Sequence, residues 1–401
     1  MCAGAAVPTA ASLEAFIPRD SYDLYAIGVQ ECVYQPGEGY DSCEADWFGR
    51  LQDHLGSSYI KLAGLSLSNI RLLVLVRRSH YYAITNIKTA LVPTGLGGVM
   101  GNKGGVGVCF AYHDTTICLV DSHLAAHQDQ EQARNANYRD IVRFLSHDLY
   151  FDNPAFDITN QFDHLFWFGD LNYRIDLPRD EALELIRQKN WLALLERDQL
   201  VQQIASQNAF TDFLEESIVF RPTYKYVRGK SDVYTEEKSR VPSWCDRVLW
   251  KSVPGSDIQH TAYGCCDNVT ISDHHPVFST FQIAVRVPRP PPLPNAPRYR
   301  IRISNLRIEG VRFASNEGTP DPYISYVAHL AHAPVPRSCV LMRLRVCFCA
   351  GSLAASWPME RASKPRSRPR PAIRAGRIAR YRFCRRWRAI QPSSAAMHCS
   401  C

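Results

Sequence analysis

The run HLFWFGD at residues 164–170 constrains the fold more than any other stretch of this chain. Its apolar residues follow one another without alternation, which is the pattern of a strand that is buried on both faces. Such a strand needs a covering layer on each side. The run then ends in polar residues, among them Asp170, Asn172 and Arg174. We therefore predict a layered fold in which a buried strand presents a polar site at its end.

Similar apolar runs recur between about residues 21 and 285, separated by segments with helical periodicity. The strand-like runs are 22–30, 70–78, 104–112, 116–123, 164–170 and 241–250. The helical segments are 46–56, 127–149 and 179–206. The last of them follows Pro178 and has acidic residues in its first turn. This mixture predicts an α/β sandwich of sheets flanked by helices.

Composition divides the chain into four parts. Residues 13–285 form the main domain, and the proline-rich stretch 286–298 is a linker of polyproline type. Residues 299–330 alternate like strands around a TPDPYI turn. Residues 331–401 become rich in Arg, Ser, Pro and Ala without sustained periodicity, which predicts a disordered tail that could bind acidic lipid surfaces.

The net charge of +7 is unevenly distributed. Residues 336–401 contain 15 Lys and Arg and one acid, a net charge of +14, so the preceding residues sum to −7. A mildly acidic main domain argues against nucleic acid as its partner. The sequence contains neither a membrane-spanning run nor a typical signal peptide. Its 14 cysteines lack paired spacing, which indicates reduced thiols in a cytoplasmic protein.

Reactive side chains follow or flank the strand-like runs in five stretches. These are VQE (29–31), DSHLAAH (121–127), GDLNYR (169–174), SWCDR (243–247) and SDHHP (272–276). Carboxylates, an amide and imidazoles without a cysteine pair suit a hard cation such as Mg²⁺. Such a cation can polarise a phosphoryl oxygen while Asp or His handles the protons of water. The sequence has no P-loop and no nucleophile elbow, which weakens nucleoside-triphosphate and acyl-transfer functions.

Each stretch by itself also has a purely structural interpretation. Glu31 could be a solvated acid, SDHHP an ordinary turn, and Asp246 with Arg247 a local ion pair. His123 and His127 have the spacing of half a zinc motif, but no glutamate lies between them and a predicted strand precedes them. The glycine-rich stretch 94–108 fits a hairpin and a phosphate-binding nest equally well.

The joint occurrence and order of these stretches favours one family. FWFGDLNYRI together with RVPSWCDRVLW closely resembles the paired signature of the inositol polyphosphate 5-phosphatases. YDLYAIGVQE, MGNKGGVGV, SHLAAH, FRPTYKY and SDHHPV resemble further blocks of that family in its order, over about residues 13–285. The resemblance implies a four-layer α/β sandwich of the endonuclease/exonuclease/phosphatase type. It also implies Mg²⁺-dependent removal of the 5-phosphate from phosphoinositides or soluble inositol polyphosphates, at a membrane surface for the lipids.

The resemblance also implies residue roles. The residues implied to act in catalysis are His123, Asp170, Asn172, Asp246, Asp273 and His274. The residues implied to bind substrate are Lys103, Arg174, Tyr224, Lys225 and Arg247. Glu31 is implied to hold the metal. Asp170 and His274 both stay candidates for the base that activates water, with Asp246 orienting His274.

Two departures and two alternatives accompany the resemblance. Relatives begin with a strand that ends in a Trp-Asn pair, and nothing before Tyr22 resembles it, so we expect the first strand to be missing. Residues 299–330 resemble the opening strands of a C2 domain. A nuclease of the same fold is one alternative, which the net charge of −7 before the tail disfavours. A catalytically inactive scaffold or binding protein is the other alternative.

Overall fold

The computed structural model describes residues 9–95, 100–151, 157–287 and 339–348. The strands are β1 (Leu24–Val29), β2 (Tyr59–Leu67), β3 (Ile70–Arg77), β4 (Ile84–Pro93), β5 (Gly104–Tyr112), β6 (Thr115–His123), β7 (His164–Asp170), β8 (Asp246–Ser252), β9 (Ile258–Cys265), β10 (Val277–Arg286) and β11 (Cys339–Phe348). The helices are α1 (Ala10–Phe16), α2 (Cys43–Leu55), α3 (Glu131–Leu145), α4 (Arg179–Arg187), α5 (Trp191–Leu195) and α6 (Gln199–Ala205). None of the described helices is long and apolar enough to cross a membrane.

The strands form two sheets. One has six strands in the order β2-β3-β1-β11-β10-β9, and the other has five in the order β4-β5-β6-β7-β8. Neighbouring strands are antiparallel except for β1 with β11 and β6 with β7, which are parallel. The parallel pairs bring the carboxyl ends of both strands to one edge of a sheet, where loops can present functional groups.

The two sheets pack face to face and helices cover their outer faces. The central core contains Leu24 and Val74 from one sheet and Phe166 and Phe168 from the other. A second core packs Trp167 against residues of α3 and α6, and a third packs β1 against α1 and α2. The strand β7 is therefore buried on both faces, as the unbroken apolar run predicts. The predicted four-layer α/β sandwich is confirmed.

The stretch 179–206, which is predicted to be helical, forms three helices, α4, α5 and α6. Lys189 has a left-handed φ of 54°, which ends the first helical segment. Asn190 and Asp198 then accept hydrogen bonds from Ala193 N and Val201 N at 3.3 and 3.0 Å. Side chains of this type compete for backbone N–H groups, so each of them starts a new helix.

Strand β11 lies inside the stretch 331–401 that was predicted to be disordered, and that prediction is wrong for residues 339–348. It fills the position between β1 and β10, where Leu344 pairs with Leu24 and also with Phe281. Met342 is buried in the central core, and Arg345 donates a hydrogen bond to Phe16 O at 3.0 Å. The rest of that tail, the linker 286–298 after residue 287 and the C2-like stretch 299–330 lie outside the described residues.

Candidate active site

Five predicted site residues come together at one edge of the two sheets. His123 ends β6, Asp170 ends β7 and Asp246 begins β8, and strand register places the three side by side. Glu31 follows β1 and His274 precedes β10 in the other sheet. Residues opposite each other in neighbouring strands point to the same face. His123, Asp170 and Asp246 therefore share the inner face with core residues such as Phe168.

His123 and Asp170 form a buried pair. His123 Nε2 lies 3.0 Å from Asp170 Oδ2, and the Lys103 ammonium also contacts this ring nitrogen. Burial and Lys103 lower the pKa of His123, although Asp170 and Glu31 oppose them. Burial alone would raise the pKa of Asp170, but His123, His274 and Lys103 together lower it. The pair therefore holds an ionised carboxylate at neutral pH in a site from which water is largely excluded.

Asp246 and His274 form a second buried pair. Asp246 Oδ2 lies 2.8 Å from His274 Nδ1 and accepts a hydrogen bond from the Thr223 hydroxyl at 2.9 Å. The Tyr224 ring lies against the imidazole with a centroid distance of 4.4 Å. The His274 N–H also donates to Ser272 Oγ at 3.1 Å, so SDHHP is both a turn and part of the site. These contacts fix which ring nitrogen of His274 faces Asp246.

Asn172 and Arg174 are fixed directly after β7. Asn172 has a left-handed φ of 56°, and its Nδ2 donates to Leu124 O at 3.1 Å. Arg174 Nε donates to Asn172 O at 3.0 Å, and its guanidinium lies 4.7 Å from the Tyr224 ring centroid. A backbone in a sparsely populated conformation is maintained only where surrounding contacts hold it, and such residues cluster at functional sites.

Glu31 lies at the open side of the site. It is exposed and has a left-handed φ of 50°. Next to it, Gln30 Nε2 donates to Asp121 Oδ1 at 2.6 Å, which links the two sheets beneath the site. Burial raises the pKa of Asp121 well above its usual value, and the hydrogen bond from Gln30 opposes this shift. Glu31 is close enough to His123 to affect its pKa electrostatically.

Asp273 lies at the rim of the site, beside cationic side chains. Its carboxylate lies 3.7 Å from Lys225 Nζ and 3.3 Å from Arg228 Nη2. Burial by itself would raise the pKa of Asp273, but His274, Arg228 and Lys225 outweigh this effect, so the pKa lies below its usual value. Lys225 also contacts Glu237. The catalytic role of Asp273 stays a prediction. The contacts of its carboxylate show that Lys225 and Arg228 bring positive charge to this rim.

Arg247 does not join the other predicted substrate-binding residues. Its guanidinium is fully buried and pairs with Asp198 at 3.0 Å and Glu215 at 2.6 Å. The reason is strand alternation: Asp246 faces the inner side of β8, so the next residue faces the outer helices. The prediction that Arg247 binds substrate is therefore wrong, and so is a local ion pair with Asp246.

The described ends of the glycine-rich stretch 94–108 form the base of a hairpin between β4 and β5. Thr94 N donates to Lys103 O at 2.9 Å, and Gly95 N donates to Met100 O at 3.1 Å. Residues 96–99 lie outside the described part of the chain. The hairpin interpretation is therefore confirmed for its base, and the same hairpin delivers Lys103 to His123. A helical zinc motif would need His123 and His127 on one face of a helix. His123 is instead the last residue of strand β6, so this arrangement is not formed.

Sequence reasoning missed four residues that support the site, namely Gln30, Asp121, Thr223 and Arg240. Each of the four belongs to a stretch that was singled out for another residue. Arg240, for example, contacts the Tyr224 hydroxyl, and its guanidinium lies 5.9 Å from that ring centroid. The only signal in the sequence is their position within the blocks that resemble the family. A hydrogen bond to a residue distant in the chain leaves no periodic pattern in the sequence.

The donors present fit a divalent cation with few protein ligands. Among the described residues, no three His, Cys, Asp or Glu side chains converge into a metal cage. Mg²⁺ commonly takes one or two carboxylates and completes its shell with water and substrate phosphate, so a cage is not required. The exposed carboxylate of Glu31 suits such a site. Asp246 Oδ1 is a buried oxygen without a hydrogen-bond partner among the described residues, which marks a further acceptor at this edge.

Residues 3–280 match the Endonuclease/Exonuclease/phosphatase family 2, and this match covers more than half of the 401 residues. The chain therefore belongs to that family. It is 42% identical to phosphatidylinositol 3,4,5-trisphosphate 5-phosphatase 2 of Homo sapiens over 271 residues, which are 66% of this chain and 21% of the relative. It is 40% identical to phosphatidylinositol 3,4,5-trisphosphate 5-phosphatase 2B of Danio rerio over 275 residues, 66% of this chain and 22% of that relative. The chain thus spans about a fifth of the length of these relatives.

The fold also resembles solved structures. One is the inositol polyphosphate 5-phosphatase domain of SPsynaptojanin in complex with inositol (1,4)-bisphosphate and calcium ion. It has a TM-score of 0.59 and 32% identity, and the match covers 69% of this chain and 80% of that one. A Cimex nitrophorin in a ferrous NO complex matches with a TM-score of 0.50 and 26% identity, over 65% of this chain and 87% of that one. The motif-based resemblance to 5-phosphatases is confirmed, while the nitrophorin shows that the fold alone does not define the function.

Proposed function

We propose that this protein is a phosphoric monoester hydrolase that removes the 5-phosphate from phosphoinositides or soluble inositol polyphosphates in the presence of Mg²⁺. One observation carries the proposal: two buried Asp–His pairs, His123 with Asp170 and Asp246 with His274, lie at one edge of the sheets. Cationic side chains surround them. The named activities of the relatives agree with this arrangement.

The two pairs support different tasks in the attack of water on phosphorus. A carboxylate whose pKa is lowered, as in Asp170, is a weak base and orients a water molecule more readily than it deprotonates one. His274 resembles the histidine of a catalytic triad, because Asp246 holds Nδ1 and thereby fixes the orientation of Nε2. We therefore assign proton transfer to His274, orientation of the water to Asp170, and phosphate contact to His123 and Asn172.

Glu31 would hold the Mg²⁺ ion at the open side of the site. When bound, the ion would polarise the phosphoryl oxygens and neutralise part of their charge. The other phosphates of the substrate would meet Lys103, Arg174, Lys225 and the neighbouring rim cation Arg228. Arg presents a planar fork and Lys a point charge, and a polyphosphate needs several such groups. Tyr224 would pack against the inositol ring and keep Arg174 in place.

The proposed setting is the cytoplasmic face of a membrane, with the protein bound peripherally. The lipid substrates are embedded in a bilayer, so the site has to approach its surface. The basic stretch that follows β11, residues 349–401, has 12 Lys and Arg and one acid, a net charge of +11, and such a stretch is attracted to anionic lipid headgroups. Nucleic acid is not proposed as a partner, since residues 1–335 sum to a net charge of −7.

A phosphate-release assay tests the proposal. The substrates are vesicles with phosphatidylinositol 4,5-bisphosphate or 3,4,5-trisphosphate, soluble inositol trisphosphate, and single-stranded DNA as the nuclease alternative. We expect Mg²⁺-dependent release from the inositol substrates, its loss with chelator, and a reduction of at least about 100-fold in Asp170→Ala and His274→Ala. Folded protein that binds the lipids without any turnover would instead support the scaffold alternative.

A further inference from the structure

Two cysteines lie side by side directly behind the candidate metal ligand. Cys32 follows Glu31 in the chain and is fully buried, while Cys43 is the first residue of α2 and is partly exposed. Their sulfur atoms are 3.8 Å apart, and the Cys43 S–H donates to the Cys32 carbonyl at 3.4 Å. Ten residues separate them in the chain, so the pair closes a short surface loop.

A buried guanidinium lies between the two cysteines. Arg71 Nη1 donates to the Cys32 carbonyl and lies 3.7 Å from Cys43 Sγ. Within the described ranges Arg71 forms no ion pair with a carboxylate, and its Nε has no hydrogen-bond partner. A buried cation without an anion is costly, so this charge is available to stabilise negative charge on a neighbouring sulfur.

We propose that Cys32 and Cys43 are a redox modification site that closes into a reversible disulfide when a hydroperoxide reaches the partly exposed Cys43. The sulfur atoms need to approach by about 1.8 Å to reach bonding distance. The segment 33–42 can supply this movement because it contains no regular helix or strand and is largely exposed. Asn69 O and Arg71 hold the Cys32 backbone, so the first turn of α2 is the part that moves.

The reaction proceeds in two balanced steps. The sulfur of Cys43 attacks one peroxide oxygen, the O–O bond breaks, and Cys43 becomes a sulfenic acid while one water leaves with the thiol proton. Arg71 stabilises the charge that develops on sulfur in this step. The thiol of Cys32 then attacks the sulfenic sulfur, the S–O bond breaks, and the second water carries away the Cys32 proton. Two thiols and one hydroperoxide give one disulfide and two waters when the oxidant is hydrogen peroxide.

The disulfide would act on the metal site through Glu31, and this part rests on the proposed function. Cys43 loses the S–H that donates to the Cys32 carbonyl, and α2 shifts toward the backbone that carries Glu31. The left-handed φ of Glu31 depends on such surrounding contacts. We therefore expect the oxidised protein to need a higher Mg²⁺ concentration for half-maximal phosphate release than the reduced protein.

The bond itself is tested on the full chain without reference to activity. The folded protein is treated with hydrogen peroxide, its remaining thiols are alkylated, and non-reduced peptides are analysed by mass spectrometry. We expect a peptide that links Cys32 to Cys43, two hydrogens lighter than the two thiols and lost after reduction with dithiothreitol. Alkylation of both cysteines after peroxide, or linkage of Cys43 to another cysteine, overturns the proposal.

Two serine variants make the test specific. Cys43→Ser removes the linked peptide, and because residue 43 is partly exposed this change preserves folding. Cys265→Ser is the matched control, since Cys265 is also partly exposed and next to a second cysteine, but faces the Asp267 carboxylate at 3.3 Å. We expect the control to keep the linked peptide. A linked peptide with an unchanged Mg²⁺ requirement would refute the effect on Glu31, and absence of turnover in the reduced protein would refute the proposed function alone.

Discussion

Two adjacent histidines, His274 and His275, show that one position in the chain decides whether a histidine belongs to the candidate site. His274 and His275 each place Nδ1 against an aspartate, Asp246 at 2.8 Å and Asp267 at 3.0 Å. Asp246 is fully buried beside Asp170 in the register of the strands, whereas the Asp267 side chain is 41% exposed. His275 instead stacks on Tyr226 with a centroid distance of 3.7 Å. The two pairs have the same chemistry, but only one of them belongs to the candidate site.

This contrast gives a residue-scale prediction with an internal control. Asp246→Asn keeps the shape of the side chain but no longer fixes the tautomer and charge of His274. We expect kcat to fall by roughly 100-fold to 10,000-fold, as for other histidines that lose their orienting carboxylate. Asp267→Asn should leave kcat within about twofold. Equal losses in both variants, with circular dichroism spectra unchanged, would contradict the assignment of His274.

At the scale of elements, the alternation along β8 separates function from stability. Asp246 belongs to the site, whereas Arg247 joins β8 to the start of α6 through Asp198 and to Glu215. Burial would lower the pKa of Arg247, but these two carboxylates raise it well above its usual value. Arg174, by contrast, has its guanidinium 4.7 Å from the centroid of the Tyr224 ring, beside the candidate site.

Truncation of Arg247 should therefore affect folding and not substrate binding. Arg247→Ala leaves the buried Asp198 and the partly buried Glu215 without their cation, and breaking such a pair typically costs about 3–5 kcal/mol of unfolding free energy. We expect a lower midpoint in urea unfolding and an unchanged KM for the protein that is folded. Arg174→Ala is the comparison variant and should raise KM with a smaller loss of stability. A raised KM in Arg247→Ala would restore its predicted role in substrate binding.

The first residue of β7 should make stability depend on pH. Burial lowers the pKa of His164 to about 4, while Asp163 raises it and Arg286 lowers it. The unfolded state binds a proton on His164 near pH 6.5, and the folded state binds it only near pH 4. Protonation therefore favours unfolding, and the free energy of unfolding decreases as the pH falls between these values. From about pH 7.5 to pH 5 the loss is about 2 kcal/mol. Urea titrations at pH 7.5 and pH 5 measure this change in unfolding free energy, and in His164→Gln it should be smaller by that amount. An identical pH dependence in the variant and the parent protein would refute the prediction.

At the scale of the whole molecule, β11 joins two strands that both lead into the site. Glu31 follows β1 and His274 precedes β10, and β11 pairs with both strands along most of their length. Its contacts are long-range, because residues 339–348 are separated from β1 by about 310 positions. The distance between the two halves of the site across this sheet is therefore set by a strand from the far end of the described chain.

Removal of β11 should open the six-stranded sheet. A chain that ends at residue 338 leaves β1 and β10 without their shared neighbour, and unpaired buried backbone groups are costly. We expect loss of cooperative unfolding and rapid hydrogen exchange of β1 and β10 amides. A chain that ends at residue 348 is the control and should keep protection in both strands. A synthetic peptide of residues 339–348 should restore protection, and full protection without it would refute the role of β11.

The sequence by itself determined the features that depend on local chemistry. The unbroken apolar run of β7 required covering layers, and the order of motifs placed Asp170, Asn172, His123 and His274 at strand ends. The tertiary structure decided what depends on neighbours distant in the chain. Arg247 faces the helices because strands alternate, and residues 339–348 form a strand because β1 and β10 supply hydrogen bonds on both sides. A pairing partner hundreds of residues away leaves no local periodicity, so only the folded chain could reveal it.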